Sequence, residues 1–251
     1  MLLEVKNLGI AFGGLQALQD INFTLELGEI VGLIGPNGAG KTTVFNLLTG
    51  VYQPTEGAIR LNGKSILGVK TFKINRRGIA RTFQNIRLFG DMSVLDNVKV
   101  AMSAETSYNA FAGIFRLPSY WREEKRIETK AHEILALLDL EEYADTNARN
   151  LPYGKQRKLE IARALASSPK VLLLDEPAAG MNPTETRELM DAINKIREHY
   201  KIAVLLIEHD MSFVMGICQR LIVLDYGKVI AKGLPQEVRK DPKVIAAYLG
   251  E

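Results

Sequence analysis

The sequence predicts an α/β fold with a mainly parallel sheet at its core, an antiparallel β region at the N-terminus and a helical insertion. The runs Lys170-Val171-Leu172-Leu173-Leu174-Asp175, Ile202-Ala203-Val204-Leu205-Leu206-Ile207 and Leu221-Ile222-Val223-Leu224 are nearly continuous apolar stretches separated by helical segments. Strands buried on both faces of a parallel sheet read this way. Residues 1 to about 30 instead alternate in strand fashion, and from about 92 to 165 strand signals vanish.

Taken in order, LLEVKNL and ALQDINFTLEL form a first pair of strands, with Gly13-Gly14 as the turn between them. Residues 29–34 (EIVGLI) are a short apolar strand, and residues 42–49 (TTVFNLLT) carry apolar side chains at helical spacing. Residues 55–66 contain Asn62-Gly63 and predict a hairpin. Within the insertion, residues 122–140 place Ile127, Ala131, Ile134, Leu135 and Leu138 on one face with charge opposite, an amphipathic helix. Residues 155–166 (KQRKLEIARALA) are strongly helical, and the three buried strands follow. No long repeat or linker is visible, so the 251 residues read as one domain: a core of about 1–91 and 166–251 interrupted by a helical subdomain of about 92–165.

A formal charge of +3 is too small to imply nucleic acid as a partner. The single cysteine, Cys218, excludes an internal disulfide, fits a reducing compartment and reads as a small buried hydrophobe. The N-terminus reads as a first strand rather than a signal peptide, and the longest apolar runs fall far short of the roughly 20 residues that span a bilayer. A cytosolic location is expected; if the protein works at a membrane, another chain supplies the span.

Between the strand 29–34 and the helix 42–49 lies Gly35-Pro36-Asn37-Gly38-Ala39-Gly40-Lys41-Thr42, a complete G-x-x-x-x-G-K-[ST] phosphate-binding loop. Its backbone amides turn inward toward phosphate oxygens, Lys41 reaches the β- and γ-phosphates, and the Thr42 hydroxyl is placed to hold Mg²⁺. The following helix aims its positive end at the same oxygens. The loop commits the chain to a nucleoside triphosphate without naming its task.

Val171-Leu172-Leu173-Leu174-Asp175-Glu176-Pro177 puts two carboxylates at the C-terminal end of a buried strand, where α/β sheets place ligands. Asp175 suits a ligand of Mg²⁺, and Glu176 a base orienting water for in-line attack on the γ-phosphate; a solvated acidic turn is the ordinary alternative. Ile207-Glu208-His209-Asp210 closes the next strand, leaving His209 as a member of the same edge or a plain surface histidine. Gln84, in Arg81-Thr82-Phe83-Gln84, precedes the helical insertion.

Phosphate loop, glutamine, helical insertion, Asp-Glu-Pro strand and histidine, in that order, resemble the ATP-binding-cassette (ABC) ATPases over the whole chain. The resemblance implies a P-loop NTPase with a RecA-like core, an N-terminal antiparallel β subdomain and an inserted helical subdomain. It implies nucleotide contacts from Gly35, Pro36, Asn37, Gly38, Ala39, Gly40, Lys41, Thr42 and Thr43, and stacking of Phe12 on adenine, with a core role in the first hairpin as the alternative. Gln84 would reach metal and water, joining Thr42 and Asp175 around Mg²⁺, and His209 would contact the γ-phosphate. Glu176, His209, Gln84 and Lys41 form the implied catalytic set.

Two motifs depart from the family pattern. Leu151-Pro152-Tyr153-Gly154-Lys155-Gln156 stands where Leu-Ser-Gly-Gly-Gln is usual, losing a serine hydroxyl; Gly154, Lys155 and Gln156 still open a helix toward the phosphate of an opposite subunit. Asn182 replaces the usual aspartate in Ala178-Ala179-Gly180-Met181-Asn182-Pro183. Together with Phe12-Gly13-Gly14-Leu15, Ile207-Glu208-His209-Asp210-Met211 and the tail Ala247-Tyr248-Leu249-Gly250-Glu251, these departures resemble the LivG-type ATPases of branched-chain amino acid importers. The Thr-Phe pair before Gln84 favours that type over the LivF-type and lipopolysaccharide-export ATPases.

Implied partners are a second cassette, LivF-type or a second copy, two membrane permeases and, indirectly, an external substrate-binding protein, with the chain peripheral on the inner face of the cell membrane. Import of amides or urea, lipopolysaccharide export and an ATP-dependent switch module remain alternatives. A soluble cassette of DNA repair or translation usually needs a long coiled coil or two cassettes, and neither is here. The aromatic stretch FAGIFRLPSYW (111–121) either packs the subdomain or faces a membrane partner.

Overall fold

A computed structural model describes residues 1–102 and 114–249, and the chain divides into two compact units, Met1–Gln84 with Pro169–Glu251, and Asn85–Ser168. The first unit holds two sheets. In one, β2 (Leu15–Leu25), β1 (Leu3–Phe12), β4 (Glu56–Leu61) and β5 (Lys64–Ser65) lie side by side, all antiparallel. The expected hairpins are both present, one turning at Gly13-Gly14 and one at Asn62-Gly63.

The second sheet runs β10 (Lys228–Gly233), β9 (Arg220–Asp225), β3 (Ile30–Ile34), β8 (Ala203–Ile207), β7 (Val171–Asp175), β6 (Ile79–Arg81). Its central strands are parallel and only the β9–β10 edge is antiparallel. Every residue of β3, β7 and β8 is buried, which is why their sequences lack alternation. Register decides where chemistry emerges. Leu33 and Asp175 both pair with Ile207, so the residues that follow β3, β7 and β8 leave the sheet at one edge.

Helix α1 (Lys41–Leu48) follows β3 and buries Val44, Phe45, Leu47 and Leu48, while α2 (Thr71–Arg77) precedes β6. Neither α2, β6 nor β10 was marked by the sequence pattern; β6 is only three residues long, and β10 has no buried residue, with Lys228 and Lys232 exposed. Cys218 ends a short helix, Met211–Ile217, where Gly32 leaves room for it: a Cβ on Gly32 would stand 3.1 Å from its sulfur. Burial pushes the thiol up to about 12, and the nearby Glu208 pushes in the same direction. Native protein at pH 8 should therefore leave Cys218 unmodified by iodoacetamide, with full labelling only after denaturation. Rapid native labelling detected by mass spectrometry would contradict this burial.

The second unit is helical among its described residues: α3 (Val94–Met102), α4 (Pro118–Leu137) and α5 (Tyr153–Ala166), with 3₁₀ turns at Glu141–Tyr143 and Ala148–Asn150. The predicted amphipathic face is buried, Ile127, Ala131, Ile134, Leu135 and Leu138 all at 3% exposure or less. The bounds differ from the predicted 122–140. Pro118 at the first helical position starts the helix earlier, and Asp139, at φ 57°, lies beyond its C-cap at Leu138. Asn97 is fully buried and bonds both the N–H and the C=O of Phe89 at 3.0 Å, tying the entry loop to α3. Of the aromatic stretch, Phe111 lies outside the described residues, while Ile114, Phe115 and Trp121 are exposed.

Candidate active site

The loop at residues 35–42 is shaped by steric necessity. Gly35 has φ 147°, and a Cβ there would fall 2.0 Å from the Leu224 carbonyl oxygen; Gly40 has φ 103°, and its Cβ would meet Leu18 at 2.5 Å. Only glycine fits either position. Because Gly40 is the N-cap of α1 and has no side chain, no protein side chain caps that helix, and its first turn carries no acid. The free amides thus face an open cavity of about 200 Å³ lined by residues 37–43, Glu176 and His209.

Lys41 is buried, its ammonium donating to the carbonyl oxygens of Gly35 at 2.7 Å and Pro36 at 2.8 Å. Burial pulls its pKa below the ordinary lysine value, opposed by the charges of Glu176 and Asp175. Both carboxylates named from sequence therefore act on this ammonium.

Glu176 is the hub. Gln84 Nε2 donates to its Oε2 at 2.7 Å, and His209 Nε2 donates to its Oε1 at 2.7 Å. Its side chain is 17% exposed, against 44% for His209, so the carboxylate is recessed behind the imidazole. Its backbone lies at φ 49° with its N–H donating to the Ile207 carbonyl at 2.9 Å. For a residue with a Cβ that left-handed conformation costs about 1–2 kcal/mol. The resemblance implied separate contacts for Gln84 and His209 with metal and γ-phosphate; here both converge on one carboxylate.

Asp175 is buried, and Arg81 Nη2 donates to its Oδ2 at 2.7 Å. The hydroxyl of Thr42, the carboxylate of Asp175 and the amide oxygen of Gln84 are hard oxygen donors of the kind Mg²⁺ takes beside substrate phosphates. Phe12 is 44% exposed at the end of β1, with its ring edge-to-face on Tyr52 at 5.2 Å between centroids. It is thus not a core residue of the hairpin, and its exposed ring surface is available for stacking.

In the helical unit, Pro152 is the N-cap of α5 and makes no side-chain cap. Gly154 is buried there, Gln156 Nε2 donates to the Leu151 carbonyl at 2.9 Å, and Lys155 Nζ donates to the Asp139 carbonyl at 3.1 Å over the Tyr143 ring. Asn182 caps the helix α6 (Pro183–Tyr200): its side-chain oxygen accepts from the amides of Thr184 at 2.9 Å and Glu185 at 3.0 Å, while Glu185 accepts from the Asn182 amide. Asparagine and aspartate serve equally as N-caps, so this exchange leaves local structure intact.

Two side chains that tie this site together escaped the sequence reading. Glu208 is 4% exposed, and its carboxylate accepts from the amides of Ala178 at 2.8 Å and His209 at 3.0 Å, joining the segments after β7 and β8. Burial raises its pKa above the usual carboxylate range, those amides opposing the shift. Arg81 is the other; only its position three residues before Gln84 hinted at the site.

A family model described as "ABC transporter" matches residues 18–179, and one described as "Branched-chain amino acid ATP-binding cassette transporter" matches residues 228–251. The chain is 48% identical to the high-affinity branched-chain amino acid transport ATP-binding protein BraF of Pseudomonas aeruginosa, covering 100% of this chain and 98% of that protein. It matches the LivG protein of Escherichia coli K12, which carries the same description, at the same identity and coverage. It is also similar to the crystal structure of a nucleotide-free ATP-binding cassette from an ABC transporter, with a TM-score of 0.85 and 30% identity, covering 100% of this chain and 99% of that one. The order of motifs, the two sheets, the phosphate loop facing Glu176 and His209, and full-length relatives at this identity make the chain a member of the ABC transporter ATP-binding family.

Proposed function

We propose that this chain is the ATP-hydrolysing subunit of an importer for branched-chain amino acids, working as one cassette of a head-to-tail pair. The observation that carries the reading is the Gln84–Glu176–His209 chain beside the phosphate loop, two 2.7 Å bonds that hold a recessed carboxylate in the lining of the same cavity as the loop, which supports a role in orienting water. Glu176 accepts a hydrogen from that water and aims its oxygen at the γ-phosphorus, opposite the leaving ADP oxygen. Lys41 and the free amides of α1 neutralise the charge gathering on the phosphoryl group, and His209 and Gln84 fix the base. Thr42, Asp175 and Gln84 would hold Mg²⁺, which would supply charge neutralisation to the triphosphate.

The remaining phosphate contacts come from the start of α5 on the partner cassette, through Gly154 and the neighbouring amides. The partner is a LivF-type subunit or a second copy, both docked on membrane permeases that receive substrate from an external binding protein. Among the described residues no helix is long and apolar enough to cross a membrane, consistent with a peripheral chain. The exposed Ile114, Phe115 and Trp121 are the apolar surface we assign to the permease. Branched-chain amino acids are favoured over lipopolysaccharide because identity to the lipopolysaccharide export protein LptB of Escherichia coli is 34%.

The test is uptake of labelled leucine into proteoliposomes holding the complete transporter: ATP-dependent uptake is expected, and ATP hydrolysis stimulated by no branched-chain amino acid would sink the substrate assignment. In the same assay Pro152→Ser should raise turnover about fivefold, the worth of one added hydrogen bond of about 1 kcal/mol to the γ-phosphate. An unchanged rate would show that the amides of α5 already suffice.

A further inference from the structure

Arg81 ends β6, the edge strand of the six-stranded sheet, and pairs in register with Leu173 on β7. Its guanidinium therefore reaches the end of β7, where Nη2 donates to Asp175 Oδ2 at 2.7 Å; the two side chains are 8% and 7% exposed. The other arm of the fork, Nη1, donates to Asn46 Oδ1 at 2.7 Å. The rings of Phe45 and Phe83 lie 5.4 and 5.3 Å from the guanidinium carbon and hold the plane of the fork. Next to Arg81, the Thr82 hydroxyl accepts from the Asp175 amide at 3.3 Å.

Asn46 lies four residues after Thr42 on α1, so the two side chains share a helix face one turn apart. A bond to Asn46 thus fixes the rotation of α1 that carries Thr42, and the bond to Asp175 engages Oδ2, so that Oδ1 is the carboxylate oxygen left for a cation. One planar, permanently charged fork spans both groups.

We propose that Arg81 is the positioning residue of the metal site: it presets the separation and orientation of Thr42 and Asp175, so that a divalent cation meets both without rearrangement. The inference rests on the assignment of Thr42 and Asp175 to Mg²⁺ made above. Outer-sphere partners that hydrogen-bond a ligating carboxylate orient it in this way, and their loss typically weakens metal binding about 10–100-fold. Because Arg81 sits three residues before Gln84, which bonds Glu176, the end of β6 holds both members of the Asp175-Glu176 pair.

The test uses the full chain with a stoichiometric non-hydrolysable ATP analogue and Mn²⁺ as the probe, bound Mn²⁺ being read from loss of its paramagnetic resonance signal. Arg81→Met should weaken Mn²⁺ by about 10–100-fold, while affinity for the analogue in EDTA, measured by calorimetry, stays at the wild-type value. Asn46→Ala spares the Arg81–Asp175 pair and so guards against a folding defect; it should weaken Mn²⁺ by about 10-fold, the low end of such losses. Mn²⁺ affinity that is unchanged or tighter in both variants overturns the proposal. Asp175→Asn serves as the reference: if it too binds Mn²⁺ like the wild type, the metal assignment itself is wrong and the proposal falls with it.

Discussion

Glu176→Gln should reduce ATP turnover by about 10²–10⁴-fold, the usual worth of a positioned general base, and should leave ATP binding intact. Glutamine keeps the size of the side chain and one acceptor oxygen, but it offers an NH₂ group to whichever of Gln84 and His209 loses its carboxylate partner. The water loses its proton acceptor while the phosphate loop is untouched. Removing a negative charge that acts on Lys41 also leaves more of that ammonium's field for the triphosphate. ATP therefore stays on the variant, and the closed cassette pair persists because hydrolysis no longer opens it. Phosphate release and nucleotide retention measured together separate the possibilities: wild-type turnover removes Glu176 from the chemistry, and failure to hold ATP makes it a binding residue.

Lys41→Ala should abolish measurable ATP binding. The ammonium is preorganised by the Gly35 and Pro36 carbonyls 2.7 and 2.8 Å away, and its transfer from them to phosphate exchanges neutral acceptors for charged ones. Two hydrogen bonds to charged oxygens at about 1.5–3 kcal/mol each amount to about 10²–10⁴-fold in affinity. Alanine also leaves those two carbonyls without their donor, so the loop loses part of its preset shape. Calorimetric titration with Mg-ATP checks this, with thermal unfolding as the control for folding. A wild-type dissociation constant would mean that the loop amides alone carry the phosphates.

Much of this was legible because it is local in sequence. The phosphate loop needs glycine at Gly35 and Gly40 for reasons of backbone space, and those glycines stand in a fixed frame with Lys41 and Thr42. The central strands of the large sheet announce themselves because burial on both faces demands unbroken apolar runs. Even the convergence of Asp175, Glu176 and His209 follows from strands ending at one edge, although their actual partners did not. That Gln84 and His209 grip the same carboxylate depends on side-chain direction across 92 and 33 residues of chain, which no local pattern encodes.

The omissions share a cause. Arg81 and Glu208 each act through a partner far away in sequence: Arg81 joins Asn46 and Asp175, and Glu208 joins the Ala178 amide, whose position no side-chain pattern marks. A three-residue edge strand such as β6 has too little length for periodicity. Asn182 was visible as a departure from a family pattern, yet its role as a helix cap was equally readable, since Asn182-Pro183 followed by Glu185 is a capping box with proline at the first helical position.

In the proposed mechanism the phosphate loop and the Gln84–Glu176–His209 chain are one half of a site that a second cassette completes. Specific ATPase activity measured against cassette concentration, alone and with the partner subunits, tests it most directly, with Glu176→Gln as the inert control. Activity per chain should rise in step with cassette pairing followed by sedimentation, and a substitution bulkier than glycine at Gly154 of the completing cassette should silence it. Constant activity per chain in a strictly monomeric protein would contradict the claim.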